Sequence, residues 1–183
     1  MALILTDADL VTAAVAGSDA AYARLVDRHQ AAVRGFLRRM LGGAGSAAAA
    51  EADDLAQEVF VTGWRALRSL KDPGGVRAWL CGIALRKARD RLRSLRRGAA
   101  RDGAWLETVS VPSGIQPEDR LALTGAMAAL PVDVRACVAL CLADGWSHGE
   151  AALALDLPLG TLKSHIARGR ARLLAALGGS DDT

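Results

Sequence analysis

Aromatic residues are scarce in this sequence: four Trp, one Tyr and two Phe make up 4% of 183 residues. The β-branched residues that favour strands are likewise few beside alanine and leucine, which excludes an all-β fold. Cysteine is almost as rare. Three cysteines cannot all pair with one another, so no disulfide framework is expected. Long apolar runs are missing too: stretches such as Ala136–Ala143 fall far short of the roughly 18 residues needed to span a bilayer. The N-terminal stretch carries Asp7 and Asp9 where a secretory signal would have a basic start. These absences point to a cytoplasmic chain with no membrane span. What is present is an apolar content of 51%, mostly Ala and Leu, which propagate helices with little loss of side-chain freedom. The expected fold is all-α.

The net charge is only +3, from 23 Lys+Arg against 20 Asp+Glu, but its distribution is uneven. Arg86, Lys87, Arg89, Arg91, Arg93, Arg96, Arg97 and Arg101 are opposed by Asp90 alone. A second basic group, Lys163, Arg168, Arg170 and Arg172, lies near the C-terminus, whereas Glu51, Asp53, Asp54 and Glu58 form an acidic one. Two separated basic helices suit a polyanion gripped at two places.

A sustained helical period starts after Ser18, a plausible N-cap, through Tyr22, Leu25, His29, Val33, Phe36, Leu37 and Met40. It stops at Leu41-Gly42-Gly43, and a Gly/Ala-rich stretch runs to Ala50. A second helix is expected from about Asp53 to Leu70, burying Leu55, Val59, Gly63, Leu67 and Trp64. Lys71-Asp72-Pro73-Gly74-Gly75 breaks it, and a third helix follows from about Val76 to Arg97, apolar at Trp79, Leu80, Ile83 and Leu92. The segment 98–117, with Gly103, Pro112, Gly114 and Pro117, reads as a flexible linker. Helices resume at about Glu118–Ala129, Val132–Ala143, His148–Leu155 and Pro158–Leu177. The chain thus divides into a domain of residues 1–97, the linker 98–117 and a domain of residues 118–183, and the two domains are expected to move independently.

The C-terminal domain holds the most specific local signal. After the break at Asp144-Gly145-Trp146, Ser147-His148-Gly149-Glu150 has the spacing of a capping box. The short helix it starts ends near Asp156, and Pro158 opens the next one. That last helix is apolar at Leu162, Ile166, Gly169, Leu173 and Leu177, and polar at Thr161, Lys163, Ser164, Arg168 and Arg172. A capped short helix, a tight turn and a second helix with a basic, hydroxyl-rich face fit a helix-turn-helix that lays its second helix in the major groove. Lys163 and Arg168 can reach guanine edges or phosphate, and Thr161 and Ser164 can contact either. His165 on the same helix is a further candidate DNA contact.

Two blocks of residues resemble one family. Ala129-Leu130-Pro131 with Arg135, Gly145-Trp146-Ser147 with Glu150, and Leu157-Pro158-Leu159-Gly160-Thr161-Leu162-Lys163-Ser164 are similar to region 4 of the group-4, extracytoplasmic-function (ECF) sigma factors. Tyr22, Leu25 and Arg28-His29, then Asp53-Asp54-Leu55-Ala56-Gln57-Glu58-Val59-Phe60, then Arg77-Ala78-Trp79-Leu80 with Ile83-Ala84, and finally Asp90, Arg93 and Arg97, resemble their region 2. The resemblance covers nearly the whole chain in the right order. It implies a sigma factor that directs bacterial core RNA polymerase to promoter DNA, reads the −35 element as duplex through region 4 and opens the −10 element through region 2. Asp54, Gln57, Glu58 and Val61 match the family's polymerase-docking face, and an acidic face suits a basic protein partner better than DNA. Lys71, Arg77, Arg86, Lys87, Arg93 and Arg97 fall where the family binds −10 DNA. Melted DNA needs such a cationic groove, with a pocket for an extruded base. Trp79 lies on the apolar stripe and is expected in the core. Thr161, Lys163, Ser164, His165, Arg168 and Arg172 match the −35 reader. At Arg86 the sequence departs from the family's usual Asn, which replaces a bidentate base contact with phosphate attraction and leaves the −10 sequence undefined. The resemblance further implies an anti-sigma factor as partner and a monomer when free.

The other chemistries find little support. Cys137 and Cys141 share a helix, while Cys81 and His148 lie elsewhere, a poor match to paired zinc ligands, so buried thiols and no metal are expected. No nucleophile–base set or phosphate-cradling loop is evident, so no cofactor and no enzymatic activity are expected. Two other readings compete: a sigma mimic that sequesters an anti-sigma factor, and a simple helix-turn-helix regulator. The second leaves the Asp53–Phe60 block without a purpose.

Overall fold

A computed structural model describes residues 5–42, 46–102 and 117–178. Eight helices form among them: α1 (Asp7–Val15), α2 (Asp19–Leu41), α3 (Ser46–Ala66), α4 (Val76–Asp102), α5 (Pro117–Ala129), α6 (Val132–Val138), α7 (His148–Leu155) and α8 (Leu159–Ala176). No strand occurs among the described residues, as an alanine- and leucine-rich chain leads one to expect. The central part of the expected linker, residues 103–116, lies outside the described residues. Its first residues are helical, because α4 continues past Arg97 to Asp102.

Local chemistry sets most boundaries. Ser18 caps α2 by accepting from the Ala21 amide, and Gly42 ends it at φ 67°, in the left-handed region that glycine enters without steric cost. Asp72 caps the short turn Pro73–Gly75 that leads into α4. Helix α1 was not evident from periodicity, yet Thr6 and Asp9 form a capping box before its buried Leu10, Val11 and Ala14. The polar group three residues after the cap is an aspartate rather than the usual Glu or Gln. Helix α3 begins at Ser46, because the glycines of this stretch are followed by four alanines, Ala47–Ala50, which are strong helix formers.

The N-terminal domain packs α1, α3 and α4 around α2, with Leu25, Val33, Phe36, Leu37 and Met40 buried along it. Leu55 and Val59 of α3 and Leu80 and Ile83 of α4 complete this core as expected. Trp79 is partly buried against it. Trp64 departs from expectation: it is 40% exposed, its ring tilted against Tyr22 at 4.7 Å between centroids. The space it was expected to fill is closed by Gly63, where Tyr22 and Leu80 approach within 3.1 Å of where a Cβ would stand. Tyr22 donates to the Phe60 carbonyl, and burial pushes its phenol up to about 12.

In the C-terminal domain α6 relaxes into a π-helical turn over Ala139–Ala143 before the break at Gly145. Helix α8 crosses α6 at Gly169, where a Cβ would stand 2.4 Å from Val138 Cγ2 and 3.0 Å from Val134 Cγ1. Leu162 and Ile166 are buried, Leu173 packs partly, and Leu177, expected in the stripe, is 45% exposed where the helix outruns its partner. Where separate cores were expected, one core runs through both domains: α4 packs against α7, and α2 touches α5 and α6.

His29 is buried beside Asp7, with Nε2 3.0 Å from the carboxylate, and burial lowers its pKa below the ordinary value against the pull of Asp7. The folded chain therefore disfavours the imidazolium. Stability from this residue is present above about pH 6.5 and falls as pH drops through the lowered folded pKa, because the unfolded chain takes up the proton first. Urea unfolding should show a lower midpoint at pH 5.5 than at pH 7.5, and His29→Gln should flatten that difference.

Gly169→Ala should destabilise the protein by about 1–3 kcal/mol through overpacking against Val138. Gly125→Ala, on α5 with open space around it, should instead stabilise by up to about 1 kcal/mol. Paired denaturation curves check both signs.

Candidate polymerase and nucleic-acid interfaces

Helix α3 turns Leu55, Ala56, Val59 and Phe60 into the core. The steps between them leave Asp54, Gln57, Glu58 and Val61 exposed together on the outer side. All four residues expected to dock polymerase are thus solvent-accessible on one helix, Val61 at 49%. Neighbouring acids are engaged internally: Asp53 meets Arg38 at 3.2 Å and Arg34 at 3.6 Å, and Glu51 pairs with Arg91. Glu58 accepts a 2.7 Å bond from Lys87 of α4, so a residue expected to bind DNA is tied here to one expected to bind polymerase. Sequence spacing could not reveal that link, since 29 positions separate the two.

The residues expected to contact −10 DNA are spread along the turn before α4 and along α4 itself. Lys71 is exposed on the turn, and Arg86 and Arg93 are exposed on the helix. Arg93 lies 3.6 Å from Asp90, an exposed pair of small energetic value. Arg97 is exposed near the helix end. Arg77 is placed differently: its guanidinium sits 4.1 Å above the ring of Trp146, a residue of the C-terminal domain. Trp79 is partly buried and packs against the core.

The helix-turn-helix forms as its sequence signals required. Ser147 accepts from the Glu150 amide while the Glu150 carboxylate accepts from the Ser147 amide and hydroxyl, which holds that carboxyl below its usual range. Helix α7 ends at Asp156, whose φ of 52° makes it the one left-handed non-glycine residue among those described. Asp tolerates that region better than a branched side chain does. Pro158 stands at the N-cap of α8 rather than at its first turn. On α8, Lys163, Ser164, Arg168, Arg170 and Arg172 are exposed, and Thr161 and His165 are half-buried. Ser164 donates to the Gly160 carbonyl at 3.0 Å, and Arg168 lies over the helix with its Nε 3.3 Å from the Ser164 carbonyl and Nη2 3.1 Å from His165 Nδ1. These bonds preset Arg168 and His165 as a unit on the outer face.

One residue escaped attention as more than a motif letter. Arg135 is only 3% exposed, and it donates to the carbonyls of Ala128, Leu130 and Met40. Its signal in the sequence was an arginine flanked by apolar residues on a helix, Val134 before it and Ala136, Cys137 and Val138 after it. The cysteines are buried or half-buried, with burial pushing the Cys81 and Cys137 thiols up to about 12. No metal-holding group of His, Cys, Asp or Glu occurs among the described residues. No described helix is long and apolar enough to cross a membrane.

Both parts of the chain are similar to known proteins. The family model for Sigma-70 region 2 matches residues 25–98, and that for Sigma-70, region 4 matches residues 120–173. The chain is 34% identical over 175 residues to the ECF RNA polymerase sigma factor SigM of Mycobacterium tuberculosis, covering 94% of this chain and 85% of that protein. It is 29% identical over 180 residues to the ECF RNA polymerase sigma-E factor of Escherichia coli, covering 91% of each. Among solved structures it matches CnrH in complex with the cytosolic domain of CnrY, at TM-score 0.70 and 30% identity over 96% of this chain and 99% of that one. It also matches the sigma factor RpoE of Bartonella quintana in complex with the anti-sigma factor NepR, at TM-score 0.72 and 25% identity over 88% and 98%. With both sigma regions matched in order and relatives aligned along nearly its whole length, the chain belongs to the ECF sigma factors of the sigma-70 family and is a promoter-specific transcription initiation factor.

Proposed function

We propose that this chain docks on bacterial core RNA polymerase through Asp54, Gln57, Glu58 and Val61, reads a −35 element with α8, and engages a −10 element with the basic side of α4. The observation that carries the reading is the joint presentation, on one chain, of an exposed acidic face on α3 and an exposed cationic face on a capped helix-turn-helix. The first repels DNA and suits a basic protein surface; the second suits a major groove. Lys163 and Arg168 supply base-edge donors, Thr161, Ser164 and His165 short polar contacts, and Arg172 a phosphate contact. Lys71, Arg77, Arg86, Lys87, Arg93 and Arg97 supply the cationic track for melted DNA. The chain contributes specificity, and the chemistry of transcription belongs to the polymerase; it is not itself an enzyme and works where polymerase works, in the cytoplasm. The matched CnrH and RpoE structures each hold a second chain, the CnrY cytosolic domain and the anti-sigma factor NepR, which supports an anti-sigma factor as a partner here.

Asp54→Arg with Glu58→Lys should weaken binding to core polymerase at least tenfold, because like charges opposed across an interface cost several kcal/mol. A pull-down with purified core polymerase reads this, with circular dichroism to show that the variant is folded. Unchanged affinity of the folded variant removes α3 from the docking role.

The two kinds of DNA contact on α8 separate in a −35 library. Lys163→Ala or Arg168→Ala should cost about 1–3 kcal/mol and relax preference at one or two positions. Arg172→Ala should weaken all sequences alike and lower the salt slope by about one unit. Intact preference in both of the first two variants would show that α8 is not the reader.

A further inference from the structure

Three arginines of α4 line a cleft that is separate from the faces proposed for polymerase and for the −35 element. Arg89, Arg93 and Arg96 follow one another at steps of four and three, which sets them on one face of the helix. With Leu92 of α4 and Val132 and Asp133 of α6 they enclose about 300 Å³. That is the small end of the range for ligand clefts, which runs from about 300 to 1,000 Å³. Asp133 is the one carboxylate in the lining, and Arg89 already occupies it, from Nε and Nη2 at 3.1 and 2.7 Å. Arg93 has only the exposed Asp90 beside it, at 3.6 Å, a pairing that holds it weakly. Arg96 is exposed and forms no ion pair among the described residues. Behind them lies Arg135, buried and bonded to backbone carbonyls. Burial lowers the Arg135 pKa, and the neighbouring charge of Arg96 lowers it further. The cleft thus holds more positive charge than its one carboxylate can balance.

The chemistry of the lining narrows what could balance it. A guanidinium offers its donors as a planar fork that matches phosphate oxygens two at a time. A diphosphate group brings several negative charges and enough oxygens for more than one fork. Leu92 and Val132 offer no hydrogen bond, so a sugar or a peptide group set against them would leave its polar atoms unpaired. We propose that the cleft between α4 and α6 binds a small diphosphate-bearing anion, held by Arg93 and Arg96, with Arg89 turning to it from Asp133. Arg93 also belongs to the cationic track proposed for −10 DNA, so an occupied cleft withdraws one contact from that track. This consequence rests on the functional reading above, whereas the site rests on the cleft alone.

Isothermal titration calorimetry of the full-length chain with inorganic pyrophosphate, at fixed ionic strength, tests the site. One saturable site is expected, with orthophosphate and sulfate binding more weakly. Arg93→Gln and Arg96→Gln should each weaken pyrophosphate about tenfold, the loss of one charge-assisted hydrogen bond. Arg65→Gln removes an exposed cation at the end of α3, away from the cleft, and should leave the affinity unchanged. Asp133→Asn should tighten binding, because the carboxylate that competes for Arg89 is gone. All four substituted side chains are exposed, so the fold is kept, and circular dichroism checks this. Equal losses in Arg65→Gln and Arg96→Gln would mean diffuse charge attraction and would overturn the site. Absence of saturable binding, or weaker binding by Asp133→Asn, overturns it as well. So does a chain that ignores pyrophosphate yet binds a single-stranded oligonucleotide through Arg96, since the cluster then serves DNA alone. Failure of the functional reading shows in the polymerase pull-down and leaves the pyrophosphate titration unaffected.

Discussion

A single buried guanidinium ties the ends of two helices to a third. Arg135 brings a positive charge into an apolar helix junction, where removing it from water costs several kcal/mol unless donors are satisfied. Its partners are carbonyls at or near the ends of α2 and α5, groups that have no partner within their own helices and lie at the negative end of each helix dipole. The two Nη groups and these carbonyls satisfy one another, while the buried Nε has no hydrogen-bond partner. Burial pulls the Arg135 pKa down from its ordinary value, with Arg96 adding to the effect, but not far enough for an arginine to lose its proton near neutrality. Gly42 next to this junction is constrained twice, by a positive φ and by Ala128, whose Cβ would meet an added side chain at 3.0 Å. The end of α2 and the end of α5 are therefore placed together, and α6 is positioned by the residue that caps both.

From that junction the functional surfaces follow. Fixing α6 fixes α8, because the crossing at Gly169 allows no side chain between them, and α8 carries the cationic outer face. Fixing α2 fixes α3 and α4, which pack along it and direct the acidic face away from the core. The charges that a simple count nearly cancels are thus sorted by folding into surfaces of opposite preference. Several of the cations are engaged within the molecule: Arg34, Arg38, Arg39, Arg89 and Arg91 all meet acids outside their own helices. A basic run in a sequence overstates the charge left for a partner.

Legibility varied with the range of the interaction. The capping box at Ser147, the cap at Ser18 and the limits of α7 were all readable, because each depends on groups within three or four residues. Helix α1 was missed since its cap used Asp9 and its stripe was short, and the start of α3 was missed because alanine reads as filler without a partner to pack on. Trp64 and Leu177 were expected to be buried on periodicity alone, which gives the face of a helix but not where its neighbour ends. Most of the residues proposed for polymerase and DNA are exposed on α3, α4, α8 and the turn before α4, while Arg77, Lys87, Thr161 and His165 are half-buried, and nothing local indicated the Glu58–Lys87 bond or the stacking of Arg77 on Trp146.

By itself the sequence determined that the chain is helical, where most helices begin, and that it carries two sigma regions in order, because helix propensity, capping and periodic burial act over a few residues. Tertiary structure decided which cations remain available, which tryptophan is covered, and that α7 rests on α4. Those outcomes depend on contacts between residues that are dozens of positions apart, and their energies come from desolvation and close packing that no single segment specifies.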